Sequence, residues 1–391
     1  MNIRVHENES NVGLFTISKT TLTLLLLYSS VLFLGLGFHL IYVSLLLLVT
    51  MQKPELVLKA KFRTSFITIL ILMTLFLIPQ YIVGYHKITL DNPIISMLSV
   101  MFSVILYGLL LQQMEPKIIK NCIILLIIGI GFEALIIALY SFISDPSYYG
   151  YGRLYNPVLN RETNSPGAAL KISILASVCV WYVFQKTSLI RKIGLVITVC
   201  ALTLLATWLA SRAYFVILGV SILASVILNL KLKNILRLSV FSVLGLFVFI
   251  YIFNSMDYSL FSKLYRLDGS LESARFMLLE EGLKNMSTHP FGGFSVDESL
   301  DNVKWFHNIF LDSARLAGWL PVLSLILLST YAFVLFLDKR NSYSLFAGFI
   351  FAMVFLLMQQ DVVVEAMIRF MVLIYFCAIF LGVRYKNGYS E

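Results

Sequence analysis

Apolar residues run through the chain in long blocks separated by short polar or basic intervals, and this alternation dominates the sequence. At about 1.5 Å per residue, roughly 17 to 25 apolar residues wound as a helix cross about 30 Å of hydrocarbon. On that measure spans are expected near 19–34, 36–51, 64–84, 93–113, 121–143, 166–185, 193–210, 213–230, 238–255, 316–337, 343–358 and 366–383. The run from Thr21 to Thr50 is interrupted only at Gly35 and Gly37, so it is either two spans or one long tilted helix. The count is twelve in the first case and eleven in the second. The fold class expected is all-α: a polytopic membrane protein of about 12 transmembrane helices, with residues 1–391 forming a single integral membrane domain. Two polar loops stand out, at 144–165 and at 257–304, the longer lying between the ninth and tenth spans and expected to carry short helices.

Composition agrees with the pattern. Hydrophobic residues make up 59% of the chain and charged residues 13%, against roughly 25% charged in soluble domains. Cys122, Cys179, Cys200 and Cys377 all fall in apolar segments without paired spacing, which indicates neither a disulfide framework nor a zinc site. The first apolar run continues past residue 48 with no small-residue cleavage site, so the N-terminus is expected to be mature and cytoplasmic.

Charge placement supplies an orientation, because short cytoplasmic loops carry an excess of Lys and Arg. Lys53 to Arg63, Lys117 with Lys120, Lys186 to Lys192, Lys231 to Arg237, Lys339 with Arg340, and Arg384 with Lys386 fall on alternate connections. Both termini are then expected inside. The opposite connections hold Arg153, Arg212, Arg275, His307 and the acidic stretch Gln359 to Glu365. The net charge of +9 is mostly this topological signal, so nucleic acid is not an expected partner. The outward cations are enough to form a basic mouth for an anion. Arg212 sits at a tight junction between two spans, where an unpaired cation costs several kcal/mol unless it snorkels or faces a wet cavity. Glu133, Lys171 and Arg369 lie inside predicted spans. For Glu133 a structural ion pair and a cavity lining are both open, and the roles of the other two are unassigned.

Within the long loop, Ser270 is placed to cap a helix reaching about Met286, with Phe276, Leu279, Leu283 and Met286 as its apolar stripe. Such a helix would lie on the membrane surface with Arg275, Glu281 and Lys284 on its other side. Pro290 with Gly292 and Gly293 then forces a turn. If 305–318 is one helix, His307, Leu311, Ala314, Arg315 and Gly318 share a face at about 3.6 residues per turn. That face offers a base, a fixed cation and a small-residue gap. A lone histidine at a membrane interface is commonly a structural, amphipathic residue, and the surroundings of this one argue for more.

Those surroundings resemble the O-antigen ligase and O-antigen polymerase superfamily of membrane glycosyltransferases. The ligases of that group carry His followed by Asn, Ser or Gln, nine residues, Gly, two residues, then Gly, Thr or Tyr. Here His307, Asn308 and Gly318 match, and Pro321 departs. Arg275 through His289-Pro290-Phe291-Gly292-Gly293, Ser211-Arg212 between two apolar segments, and Gly152-Arg153-Leu154 with the Asn164 to Gly167 turn complete the pattern. The resemblance implies transfer of a glycan from undecaprenyl pyrophosphate, on the periplasmic side of a bacterial inner membrane, by an inverting displacement without metal or other cofactor. It implies His307 as the catalytic base and Arg212, Arg275 and Arg153 as substrate-binding cations. Asn308 holds the acceptor or the imidazole ring, and Arg315 adds to the pyrophosphate site or anchors its helix. Gly318 lets a neighbouring helix approach closely.

The chemistry is coherent with the residues present. The outer loops hold no Asp-any-Asp, and the turn around Gly35 to Gly37 is too short and apolar to hold a metal. Transfer without metal needs a leaving group already installed and fixed cations to take up its charge, and the arginine fork binds phosphate oxygens in pairs. Two acceptors are expected within the resemblance: the lipid A core for a ligase, a second lipid-linked repeat unit for a polymerase. The His-Asn-nine-Gly spacing favours the ligase. A glycolipid transporter in the surrounding membrane lipids is the reading from another class, and the absence of an internal repeat speaks against it.

Overall fold

A computed structural model describes residues 18–58, 64–84, 93–144, 153–157, 160–209, 211–228, 274–296, 305–336, 342–365 and 367–387. The helices are α1 (Lys19–Leu36), α2 (His39–Gln52), α3 (Pro54–Leu58), α4 (Thr64–Val83), α5 (Pro93–Leu111), α6 (Pro116–Ser144), α7 (Ser165–Phe184), α8 (Leu189–Trp208), α9 (Arg212–Leu228), α10 (Ala274–Thr288), α11 (Ile309–Ala317), α12 (Trp319–Phe336), α13 (Ser342–Met358) and α14 (Ile368–Asn387). Between α6 and α7 the strands β1 (Arg153–Asn156) and β2 (Arg161–Asn164) pair antiparallel, Arg153 opposite Asn164. Among the described residues seven helices are long and apolar enough to cross a membrane: α1, α4, α5, α6, α7, α8 and α12. Four more, α2, α9, α13 and α14, are shorter and apolar. Every expected span coincides with one of these eleven except 238–255, which lies outside the described residues.

The first apolar run is two helices. Ser18 caps α1 by accepting the Thr21 N–H at 3.1 Å, and Gly37 ends it in the left-handed conformation, φ 84°. The N–H groups of Gly37 and Phe38 then close on the carbonyls of Leu34 and Phe33, a glycine-terminated helix end. The same turn brings Gly35 against Gly129 of α6. A Cβ on Gly35 would stand 2.6 Å from the Leu126 carbonyl oxygen, and one on Gly129 would stand 2.6 Å from that of Leu32. Small residues let these backbones meet, which is how helices gain contact where lipid offers no hydrophobic drive.

Two helices form the centre. α7 is buried nearly all round and packs on α6, α8, α9 and α13; α14 packs on α4, α5, α6, α12 and α13. The lipid-facing periphery is supplied by α2, α8 and the outward sides of α4, α9 and α12, which expose Leu, Ile, Val and Phe.

One charged cluster sits inside this apolar body. Glu133 of α6 accepts from Lys171 of α7 at 3.1 Å and from Arg369 of α14 at 2.6 Å, all three buried. Arg369 also donates to the Gly35 carbonyl, and Asn156 of β1 reaches the other Glu133 oxygen at 3.5 Å. The structural ion pair is therefore the correct alternative for Glu133, with two cations rather than one.

Candidate functional site

The site lies where α11, the connection 359–365, and the ends of α4 and α7 converge. It is built from α11 outward. The helix starts at Ile309 rather than at 305, so the single helix expected over 305–318 is replaced by an extended approach, a sharp turn and a short helix. The turn is His307 itself, at φ 54°. Left-handed backbone is uncommon for a residue with a Cβ, though histidine tolerates it better than most. His307 therefore does not share the helical face of Leu311, Ala314 and Arg315; it stands ahead of the helix, aimed by the turn.

Three side chains hold that turn. Asn308 is the N-cap of α11: its Oδ1 accepts the N–H groups of Phe310 at 3.0 Å and Leu311 at 3.2 Å, and its Nδ2 donates to Gln359 at 2.9 Å. Both ends of the amide are thus taken by the fold, and the residue positions the turn rather than an acceptor. Asp312, in the first turn of α11, reaches back: Oδ1 accepts the Phe306 N–H at 2.9 Å and Oδ2 the Asn308 N–H at 3.3 Å, one on either side of His307. Arg315 is buried, bonded to Glu365 at 2.6 Å with its Nε 3.7 Å from Asp312. Of the two roles expected for Arg315, helix anchoring is the one its surroundings fit.

Across the site stands Asp361, from the acidic connection Gln359 to Glu365. Its Oδ1 lies 3.8 Å from His307 Nδ1 and accepts the Val362 N–H at 2.7 Å. Its Oδ2 is buried and has no hydrogen-bond partner among the described residues. At 3.8 Å the pair is an electrostatic contact rather than a hydrogen bond. The Asp361 side chain is 4% exposed and that of His307 23%, so the imidazole is the part of the pair open to a substrate. Trp305 flanks it edge-on, ring centres 6.4 Å apart. Beneath Asp361, a Cβ on Gly167 would come within 3.1 Å of Oδ2; Gly167 donates its N–H to Asn164, the N-cap of α7. Lys171 of the buried ion cluster follows one helical turn further along α7, about 6 Å away by the rise per residue.

The Pro290–Gly293 turn clamps the far end of α11. Gly293 donates to the Arg315 carbonyl at 2.8 Å, and Trp319 donates to that of Pro290 at 3.0 Å. Gly318, at φ 70°, has no room for a Cβ, which would meet Pro290, and a Cβ on Gly292 would stand 2.6 Å from the Gly318 nitrogen. The neighbour that Gly318 admits is thus this turn rather than a helix. α10 then lies on α11 through Leu278 and Gly282, the latter against Leu311 and Phe306. Leu279 and Leu283 of the expected apolar stripe are exposed, on a different side of α10 from the one that meets α11. The glycine permits the closer approach, and so the buried face passes through it.

The remaining expected residues are on other elements. Arg212 is exposed at the first position of α9, and Ser211 before it is buried. Arg153 pairs by backbone with Asn164, next to the start of α7, and Arg275 is the second residue of α10. The side chains of Arg153 and Arg275 lie outside the described residues. An apolar groove of about 370 Å³ runs between α6 and α8, lined by Leu135, Leu139, Phe142, Leu205 and Trp208 among others. Among the described residues no group of three or more His, Cys, Asp or Glu is placed to hold a metal ion.

Two signals for the missed carboxylates were present in the sequence. Asp312 is an acidic residue in the first turn of a helix headed by an Asn cap, where carboxylates meet free N–H groups. Asp361 is an acid at the end of a span on the same side as His307.

The fold and these helices define an all-α transmembrane protein. No protein-family model matches the chain, and no curated protein matches it.

Proposed function

We propose that this protein is an inner-membrane glycosyltransferase of the O-antigen ligase type, moving a glycan from undecaprenyl pyrophosphate to the lipid A core on the periplasmic side. The observation that carries the reading is the His307–Asp361 pair, a partly exposed imidazole backed by a buried carboxylate. With Nδ1 turned to Asp361, Nε2 is left for substrate. A carboxylate beside Nδ1 supports the imidazolium that forms when the base takes a proton. In the proposed step His307 accepts the proton of an acceptor sugar hydroxyl, whose oxygen attacks the anomeric carbon. The bond from that carbon to the pyrophosphate oxygen breaks with its electron pair on the leaving group, and the anomeric centre inverts. The flat face of Trp305 beside the base suits a sugar ring.

The donor's charge needs cations. Arg212, which begins the helix after the groove residue Trp208, is the cation proposed for one end of a lipid pyrophosphate whose isoprenoid tail lies along Leu139, Phe142 and Trp208, with Arg275 and Arg153 as the other proposed contacts. Twelve spans, both termini cytoplasmic, and a site mouth formed by 144–165 and 257–304 complete the proposal. Asn308 and Arg315 enter it as supports.

The test is the product left when the protein is deleted. A ligase leaves polymerised glycan on the polyprenyl carrier and a bare lipid A core. Single repeat units attached to the core would mean that chain growth alone is lost, making the protein the polymerase. Purified protein that moves glycan from donor to acceptor without an energy source excludes the transporter.

A further inference from the structure

Both oxygens of the Asp312 carboxylate are hydrogen-bonded to backbone, beside the ion-pair contact with Arg315. They accept the N–H groups of Phe306 and Asn308, the two residues bracketing the one left-handed histidine among the described residues. We propose that Asp312 is a positioning residue: its ionised carboxylate holds the His307 turn and so aims the imidazole at Asp361, and protonation of that carboxylate releases the turn. The consequence for transfer rests on the glycosyltransferase reading; the clamp does not.

The geometry gives the clamp its on and off states. Ionised, the carboxylate offers acceptors to both N–H groups at once. Protonated, it keeps one accepting oxygen and turns an O–H toward a donor, so one of the two contacts is lost. Burial pushes this carboxyl up to about 6, with Arg315 and the two N–H groups pulling back in the other direction. The charged groups around it are few. Arg315 is on its own helix, His307 and Asp361 stand on one side, and Glu365 neutralises the far end of Arg315. α10 carries Glu281 and Lys284 near α11, and α4 and α12 carry no charged residue or histidine. The fold thus hydrogen-bonds a titrating carboxylate to the residues on either side of the proposed base.

Asp312→Asn tests this, because the amide keeps the shape, cannot accept with both ends, and imitates the released state. Amide exchange at Phe306 and Asn308 in the detergent-solubilised full chain is expected to rise about tenfold or more in the variant, and in the wild type as pH falls from 7 to 5 after correction for intrinsic exchange. In transfer assays the variant's kcat is expected to fall by about 10- to 100-fold, the scale of a misplaced catalytic group, with KM little changed. Its acid limb should flatten from two protons to one, and Asp312→Glu should restore part of the rate. Exchange unaltered by the substitution overturns the clamp whether or not the protein transfers glycans. Altered exchange with wild-type kcat and an unchanged acid limb overturns the positioning role. A protein without transferase activity in any form defeats the functional reading and leaves the clamp to be judged by exchange.

Discussion

The Asp312 carboxyl titrates near 6 in the fold and near 3.9 in an unfolded chain, so ionising it inside the protein opposes folding by an amount on the order of 3 kcal/mol. The sign follows from linkage. The folded state binds this proton more tightly, so the contribution of Asp312 to stability is greatest below about pH 4 and is lost as pH rises through 6. Wild-type thermal stability is therefore expected to fall relative to Asp312→Asn between pH 4 and 7, and parallel melting curves across that range would remove the shift. The proposed positioning needs the ionised form, so stability and activity draw on opposite protonation states, a trade common at working sites. His307→Ala should leave expression and membrane insertion intact and remove at least about 100-fold of transfer, the usual scale of a general base. Wild-type activity in that variant ends the base assignment. Asn308→Ala should instead lower stability by about 1 kcal/mol through loss of the helix cap, read as a lower midpoint in thermal unfolding.

Glycines decide how α10, α11 and α12 assemble. A methyl group at Gly318 meets the Pro290 backbone in a conformation that disfavours any Cβ, so Gly318→Ala should displace the Pro290–Gly293 turn at a cost of roughly 1 to 3 kcal/mol and expose α10 to protease. Gly219 of α9 has nothing within 4 Å of an added Cβ, and Gly219→Ala should stabilise by up to about 1 kcal/mol. Equal melting of the two variants would contradict the packing described for α11. These same elements show what was legible beforehand. Span after span was readable because each must fill the thickness of a bilayer with apolar side chains. The start of α11 was not, because the 3.6-residue period runs straight through Trp305, His307 and Asn308, and only the reach of Asp312 back to the Phe306 and Asn308 N–H groups shows that the chain turns there. Gly282 was not legible for a related reason: hydropathy gives a glycine no apolar surface, although this glycine is what touches α11.

At the scale of the whole molecule the buried charges matter most. His307 was singled out from the residues around it in the chain, whereas its pairing with Asp361 and the cluster of Glu133, Lys171 and Arg369 are tertiary contacts that no local stretch encodes. Removing Glu133 leaves two cations in the apolar interior, so Glu133→Ala should cost about 3 to 5 kcal/mol and greatly reduce folded protein, measured by monodisperse yield in detergent. Normal yield would show that the cations find water or lipid headgroups instead. Under the proposed topology, a periplasmic reporter fused after Lys304 is active and one fused after Lys233 inactive; the reverse pattern turns every site assignment to the cytoplasm.

The cluster also bears on how the chain is made. Glu133 and Lys171 belong to neighbouring helices and can neutralise each other soon after synthesis, but Arg369 arrives 236 positions after Glu133, on the last helix described. Until it docks, α4, α5, α6, α12 and α13 face one another across an unfilled slot, with the Gly35 carbonyl and part of the Glu133 carboxylate lacking a donor. A chain halted before α14 therefore presents a polar seam toward lipid, the kind of mark by which membrane quality control can tell an unfinished protein from a finished one.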